Sequence, residues 1–66
     1  MKRVLLIKHL EKNNCFFARE GSKHSVYYNP KTNKSSTIPR HADIRSFLAE
    51  KICKDLGIIL PPNQGK

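Results

Sequence analysis

The first twelve residues combine apolar and basic side chains at the spacing of an α-helix. The apolar side of this helix is formed by Val4, Leu6, Ile7 and Leu10. His9 falls with the lysines on the opposite side, so we expect it to be exposed to solvent. Leu5 also falls among the basic residues, where no core position explains an apolar side chain. The pattern predicts a helix over residues 2–13, ended by two asparagines that tolerate a left-handed backbone.

The middle of the chain predicts three short β-strands. Residues 15–20, with the sequence CFFARE, are rich in aromatic side chains and end at Gly21. Residues 24–29, HSVYYN, form the second strand, and residues 35–39, SSTIP, form the third. Proline and asparagine in residues 30–34 favour a turn between the last two strands.

The clearest element is an amphipathic helix predicted over residues 43–56. Its apolar stripe repeats every four residues, at Leu48, Ile52 and Leu56. Asp43 is a favourable N-cap, and Gly57 stands where a C-terminal cap belongs. Phe47 points away from the stripe, so we expect its aromatic ring to be exposed.

The order of these elements predicts an α+β fold, α-β-β-β-α, in which a three-stranded antiparallel sheet carries both helices on one face. We expect residues 1–58 to form one small domain and residues 59–66 to form a loose tail. Cys15 and Cys53 lie far apart in the sequence with no secretory leader before them, so we expect reduced thiols in a cytoplasmic protein. No apolar run is long enough to cross a membrane. The scattered histidines and cysteines show no metal-ligand spacing, so we expect no metal ion and no other cofactor.

The charge of the chain favours a polyanionic partner. Thirteen Lys and Arg residues against five Asp and Glu residues give a net charge of +8. The excess lies in the first two thirds of the chain, because residues 43–66 carry four basic and three acidic side chains. Such an asymmetric basic surface is typical of proteins that bind nucleic acid. The alternative is a surface whose charge serves only solubility.

One histidine stands out within the stretch REGSKHSVYY. His24 begins the second predicted strand, directly after a Gly-Ser-Lys turn. RNA carries its own nucleophile, the ribose 2′-OH, so a cleaving enzyme needs only a base and groups that stabilise the phosphate charge. Imidazole, with a pKa of about 6.5 in peptides, suits the role of base. The residues alone nevertheless favour an inert, half-exposed strand histidine.

Three segments together resemble the HicA toxins, small ribonucleases of bacterial toxin–antitoxin pairs. They are REGSKHSVYYNP at residues 19–30, STIPRH at 36–41 and LAEKICKDLGI at 48–58. The resemblance implies a fold similar to double-stranded-RNA-binding domains and cleavage of single-stranded mRNA without a metal ion. It also implies neutralisation by a HicB-type antitoxin, with a higher-order toxin–antitoxin oligomer as a further expectation. It maps the family's active-site histidine onto His24, which reverses the preference for an inert residue.

Several basic and polar residues are candidates for contacts with RNA phosphates: Arg19, Ser22, Lys23, Arg40 and Lys8. The backbone N–H groups of the turn at Ser22 are suited to approach a phosphate. The alternatives are a turn that only joins two strands and lysines that are only solvated.

His41 has two interpretations. It is a candidate second acid or base, donating a proton to the leaving 5′-oxygen, but we favour a role in capping the second helix. Tyr27 and Tyr28 must face opposite sides of the sheet, so one packs in the core and the other is free to stack on a base. The pattern does not decide which.

A protein partner is expected to contact the apolar residues that have no core role, Leu5 and Phe47. The alternative function is a non-catalytic RNA-binding module of the same fold. DNA binding is less favoured, because the second predicted helix has almost no net positive charge for a major groove.

Overall fold

The computed structural model describes residues 1–61, so residues 62–66 of the predicted tail lie outside the described residues. The elements are α1 (Arg3–Lys12), β1 (Phe16–Glu20), β2 (His24–Asn29), β3 (Lys34–Pro39) and α2 (Ser46–Leu56). This order confirms the predicted α-β-β-β-α arrangement and the α+β fold class. Neither helix within residues 1–61 has the length and apolar character needed to cross a membrane.

The three strands form one antiparallel sheet in the order β1-β2-β3. Side chains along the central strand β2 alternate between buried and more exposed positions, because successive residues of a strand point to opposite faces. The buried positions, Ser25, Tyr27 and Asn29, face both helices. We call the other side, which carries His24, Val26 and Tyr28, the open face.

The core lies between the helices and the buried side of the sheet. It consists of Leu6, Leu10, Cys15, Tyr27, Ile38, Ile44, Ala49, Ile52, Cys53 and Leu56. Arg3 of α1 bonds to Ser25 and Leu56 of α2 bonds to Asn29, two residues on the buried side of β2, which confirms that both helices lie on one face. Burial of this apolar surface is the main stabilising contribution in so small a domain.

The buried side of α1 differs from the predicted one. Leu6, His9 and Leu10 are buried, whereas Val4, predicted to lie on the apolar side, is 60% exposed. His9 was predicted to be exposed, and this was wrong. Its Nε2 lies 2.9 Å from the carbonyl oxygen of Ile59, because the segment after α2 passes beside α1 and offers a hydrogen-bonding partner.

The beginning of α2 also differs from the prediction. The helix starts at Ser46, with Arg45 in the N-cap position and no side-chain cap, so Asp43 is not its N-cap. The preceding backbone pairs instead with the N-terminus of the chain: the amide of Ile44 donates to the carbonyl oxygen of Met1 at 2.7 Å. Lys2 and Asp43 form an isolated antiparallel bridge in the same place. These bonds hold the segment extended and delay the helix by three residues.

The end of α2 agrees with the prediction. Gly57 occupies the C-cap position with a φ of 72°, in the left-handed region that favours glycine. A Cβ atom at this position would approach Thr32 Cγ2 to 2.8 Å, so space as well as backbone conformation requires glycine. Thr32 Oγ1 and Asn29 Nδ2 both donate to the carbonyl oxygen of Leu56, at 2.9 Å and 2.8 Å. The β2–β3 hairpin thus supplies hydrogen bonds that the last turn of the helix lacks.

Candidate active site at the His24 end of the sheet

His24 is the first residue of β2 and is exposed on the open face. The residue paired with it on β3 is Pro39. The turn that precedes it is closed by a hydrogen bond of 2.7 Å from the amide of Gly21 to the carbonyl oxygen of His24. A Cβ atom on Gly21 would lie only 3.2 Å from that oxygen, which favours glycine at this position. The backbone of His24 is therefore fixed at both sides, while its imidazole faces solvent.

A hydrogen-bonded network lies behind His24, on the helix side of the sheet. Arg3 Nε donates to the carbonyl oxygen of Pro39 at 2.8 Å, and Arg3 Nη2 donates to Ser25 Oγ at 2.8 Å. Ser25 Oγ donates in turn to Glu20 Oε1 at 3.2 Å. We call this the Arg3–Ser25–Glu20 network. It joins the start of α1 to β2 through Ser25 and to the ends of the two neighbouring strands, β1 and β3.

The network was not predicted from the sequence. Arg3 contacts Ser25 and Pro39 across sequence separations of 22 and 36 residues, and no local pattern indicates such pairs. Ser25 is 5% exposed. A buried hydroxyl needs partners, and this one both accepts and donates a hydrogen bond.

Arg40, predicted to contact phosphate, lies beside the turn before His24. Its guanidinium forms an ion pair with Glu20 and donates to the carbonyl oxygen of Gly21 at 3.4 Å. The side chain is 51% exposed, so solvent competes for the pair and a ligand can reach the guanidinium. Ser22 and Lys23 are exposed in the turn itself. The structure thus brings Ser22, Lys23 and Arg40 to the same end of the sheet as His24.

The two remaining residues predicted to contact phosphate lie on opposite sides of the sheet. Arg19 is exposed and pairs with Val26, which shares the open face with His24, so this cation is on the same face as the imidazole. Lys8 is an exposed residue of α1, on the opposite side of the sheet. The structure does not bring Lys8 to His24.

His41 is exposed in the loop after β3, two residues beyond the strand partner of His24. It does not cap α2, because that helix begins at Ser46. The favoured capping interpretation was therefore wrong.

The two tyrosines can now be assigned to their faces. Tyr27 is buried on the helix side, where its ring meets Phe17 edge-to-face at a centroid distance of 5.9 Å. Burial raises the pKa of its hydroxyl. Tyr28 lies on the open face, and its hydroxyl donates to Asn33 Oδ1 at 2.7 Å. Tyr28 is thus the tyrosine that shares the open face with His24.

The His24 end also collects positive charge from the helices. α1 begins next to Pro39, and the loop at residues 40–45 leads from the same end of β3 into α2. The N-terminus of a helix carries a partial positive charge, and neither first turn contains an acidic residue that would offset it. The residues in the N-cap positions, Lys2 and Arg45, are themselves basic. These positive charges favour the binding of an anion at the end of the sheet that presents His24, where the acidic side chains are Glu20, paired with Arg40, and Asp43, near the amino group of Met1.

The first turns of the two helices carry the residues predicted to contact a protein partner. Leu5 in α1 is 51% exposed and Phe47 in α2 is 68% exposed, as their positions outside the apolar stripes predicted. Within residues 1–61, no three His, Cys, Asp or Glu side chains are grouped so that they could hold a metal ion. Cys15 and Cys53 are free and buried in the core, away from the surface that presents His24.

Comparison with protein families gives a match over most of the chain. The family model described as "HicA toxin of bacterial toxin-antitoxin" matches residues 6–58. This span contains all the core residues, the three strands and the whole of α2. Comparison with curated proteins and with solved structures found no match. The matched span includes His24 and the turn before it. The chain therefore belongs to the HicA toxin family, and this membership supports a role as the toxin of a toxin–antitoxin pair.

Proposed function

We propose that this HicA toxin is a metal-independent endoribonuclease that cleaves single-stranded mRNA in the cytoplasm, with His24 as the general base. The observation that carries the proposal is an exposed imidazole with a fixed backbone, at a cationic end of the sheet, in a chain of a ribonuclease toxin family. A solvent-facing imidazole can reach a ribose, whereas the buried His9 cannot.

The chemistry proceeds by transfer within the RNA. His24 takes the proton of a ribose 2′-OH, and the oxygen attacks the adjacent phosphorus. The bond from phosphorus to the 5′-oxygen breaks, which leaves a 2′,3′-cyclic phosphate and a 5′-hydroxyl. The departing oxygen needs a proton, for which His41 is the candidate donor. A positioned acid or base contributes about 10² to 10⁴-fold, which suits a slow nuclease.

The cations around His24 stabilise the negative charge that develops on the phosphate. Lys23 precedes His24 in the chain and Arg40 follows its strand partner Pro39, so both cations lie at the end of the sheet that presents His24, together with the backbone N–H groups of the turn at Ser22. Arg40 is paired with Glu20 in the free protein, so RNA must compete with this carboxylate for the guanidinium.

The partner that restrains this activity is an antitoxin, as toxin–antitoxin pairing implies. We propose a HicB-type protein that is acidic enough to match the charge of +8 and that contacts Leu5 and Phe47. Higher-order assembly with this antitoxin is part of the same proposal. Contacts at the first turns of both helices would bring such a partner next to His24.

The test combines a protein variant with a modified substrate. His24→Ala should abolish RNA cleavage while leaving the fold and most RNA affinity intact, since the cations remain. A substrate in which the ribose at the cleavage site lacks its 2′-OH should bind but resist cutting, and a chelator should have no effect. Cleavage at near wild-type rate by His24→Ala would refute the role of the histidine. Binding without cleavage by the unaltered protein would favour a non-catalytic RNA-binding module.

A further inference from the structure

Two aromatic residues on the open face of the sheet have no role in the core. Phe16 of β1 is directly paired with Tyr28 of β2, and paired residues of neighbouring strands share a face. Phe16 is 55% exposed, and Tyr28 is partly exposed. The next residue, Phe17, is almost equally exposed at 54%, but it lies on the helix side against Tyr27. The chain thus presents an aromatic pair on the face that carries His24.

The aromatic pair and the imidazole are spaced along one strand. His24 and Tyr28 are four residues apart on β2, which at about 3.3 Å per residue separates them by about 13 Å. Arg19, paired with Val26, lies between them on the same face. This places a basic side chain between an imidazole and two aromatic rings along a continuous surface.

The charge of this face indicates its ligand. The acidic residues of the chain are Glu11, Glu20, Asp43, Glu50 and Asp55. Among residues 1–61 none of these carboxylates lies on the open face: two are in α2, one is in α1, one is in the loop before α2, and Glu20 is bonded to Ser25 on the helix side. A face with aromatic rings, a cation and no carboxylate is complementary to single-stranded RNA, whose unpaired bases stack on aromatic side chains while its phosphates bind cations.

We propose that Phe16 and Tyr28 form a base-stacking subsite for single-stranded RNA, with Arg19 contacting the phosphate backbone between this subsite and His24. The inference rests on the proposed function for its choice of ligand, but it concerns binding and does not require cleavage. Stacking accepts every base, so the subsite holds the RNA strand without selecting its sequence.

The test uses neighbouring phenylalanines as a matched pair. Phe16→Leu and Phe17→Leu remove equally exposed rings from opposite faces of β1. Affinity for a short unstructured RNA is measured in the His24→Ala background, so that no RNA is cut, after circular dichroism has verified folding. Phe16→Leu should weaken binding about fivefold to a hundredfold, the range measured for loss of one stacked base, and Phe17→Leu less than about twofold.

Two further variants keep the test decisive if Phe16→Leu fails to fold. Tyr28→Leu should weaken binding like Phe16→Leu, whereas Tyr28→Phe, which keeps the ring and loses only the bond to Asn33, should bind like the parent. The aromatic variants should leave the salt dependence unchanged, while Arg19→Gln should reduce the slope of log affinity against log salt by about 0.7.

The outcomes separate this inference from the proposed function. If the unaltered protein binds RNA without cutting it and the open-face aromatic variants weaken binding, the subsite stands and the nuclease mechanism is wrong. If RNA is cut but Phe16→Leu binds like Phe17→Leu, the subsite is wrong and the mechanism stands. If open-face variants lose affinity only for the protein antitoxin, the face belongs to that partner and the inference is overturned.

Discussion

Replacing Ser25 by threonine or by valine isolates the contribution of one hydroxyl to the structure behind His24. Threonine keeps the oxygen, and valine replaces it by a methyl group of nearly the same shape. Both residues are β-branched and suited to a strand, so the extra methyl group that each introduces affects both variants alike. The difference between them therefore reports on the bonds to Arg3 at 2.8 Å and to Glu20 at 3.2 Å.

The expected loss of stability depends on which hydrogen bonds Arg3 and Glu20 keep in the valine variant. Hydrogen bonds to charged groups each contribute about 1.5–3 kcal/mol net. Glu20 is 42% exposed and regains water, and Arg3 keeps its bond to Pro39, so we expect valine to be about 1–2 kcal/mol less stable than threonine. A domain of 66 residues has a stability of roughly 3–10 kcal/mol. The expected difference in Tm is about 5–15 °C.

Urea denaturation followed by circular dichroism measures the stability, and RNA cleavage measures the effect on His24. Ser25→Val should lower kcat with little change in RNA affinity, because the turn before His24 loosens while no phosphate contact is lost. The control is the same pair of substitutions at Ser35, an exposed residue of β3, where threonine and valine should differ by less than about 0.5 kcal/mol. Equal stability and equal cleavage of the two Ser25 variants would show that the network does not support the site.

Three further predictions concern the surface and the core. Phe47→Glu should weaken antitoxin binding about tenfold or more without lowering the Tm, because the ring is 68% exposed in the free protein. Calorimetric titration would test this, and an unchanged affinity would exclude the contact between Phe47 and the antitoxin. Lys23→Glu should flatten the salt dependence of RNA binding, whereas Lys54→Glu on the far helix should not, and equal effects would indicate a uniformly basic surface. Burial raises the pKa of the Cys53 thiol from 9.0 to about 11, so the native thiol keeps a proton that the unfolded chain loses. The free energy of unfolding should therefore fall by up to about 1.4 kcal/mol per pH unit between those values, and a Cys53→Ala variant should lose this part of the slope in urea denaturation.

Elements whose bonds are local could be predicted from the sequence. Strand β2 spans the predicted residues 24–29, because its alternation and the turn residues on either side are contained in ten or so positions. The C-terminal end of α2 at Gly57 was also predicted, since a left-handed cap is a property of a single residue. The start of α2 was not, because the backbone from Ala42 to Ile44 bonds to residues 1–3 at the other end of the chain. A local sequence pattern cannot reveal backbone hydrogen bonds to the other end of the chain, which here replace the first turn of the predicted helix.

In the candidate site, too, some features follow from the local sequence and others depend on the fold. The motif made His24 the candidate base, which stays a prediction, and the alternation of strand residues required Tyr27 and Tyr28 to lie on opposite faces. The same alternation places Tyr28 on the face of His24, but which of the two faces the helices cover is decided only by the fold. The role of Arg3 could not be predicted either, since it acts across three separate elements.

The topology explains why positive charge collects at His24. A chain of five elements with short connections reverses direction at each step, so α1, β2 and α2 start at one end and β1 and β3 finish there. Both helix N-termini, the turn before His24 and the end of β3 consequently meet at that end. The amino group of Met1 lies there too, donating to the carbonyl oxygen of Ile44 at 2.9 Å and paired with the carboxylate of Asp43 at 3.8 Å. The helix C-termini lie at the opposite end, where Asn29 and Thr32 satisfy the carbonyl oxygen of Leu56. The electrostatic attraction that we propose for an anion at His24 therefore depends on the fold as a whole, and replacing any one lysine should weaken it without abolishing it.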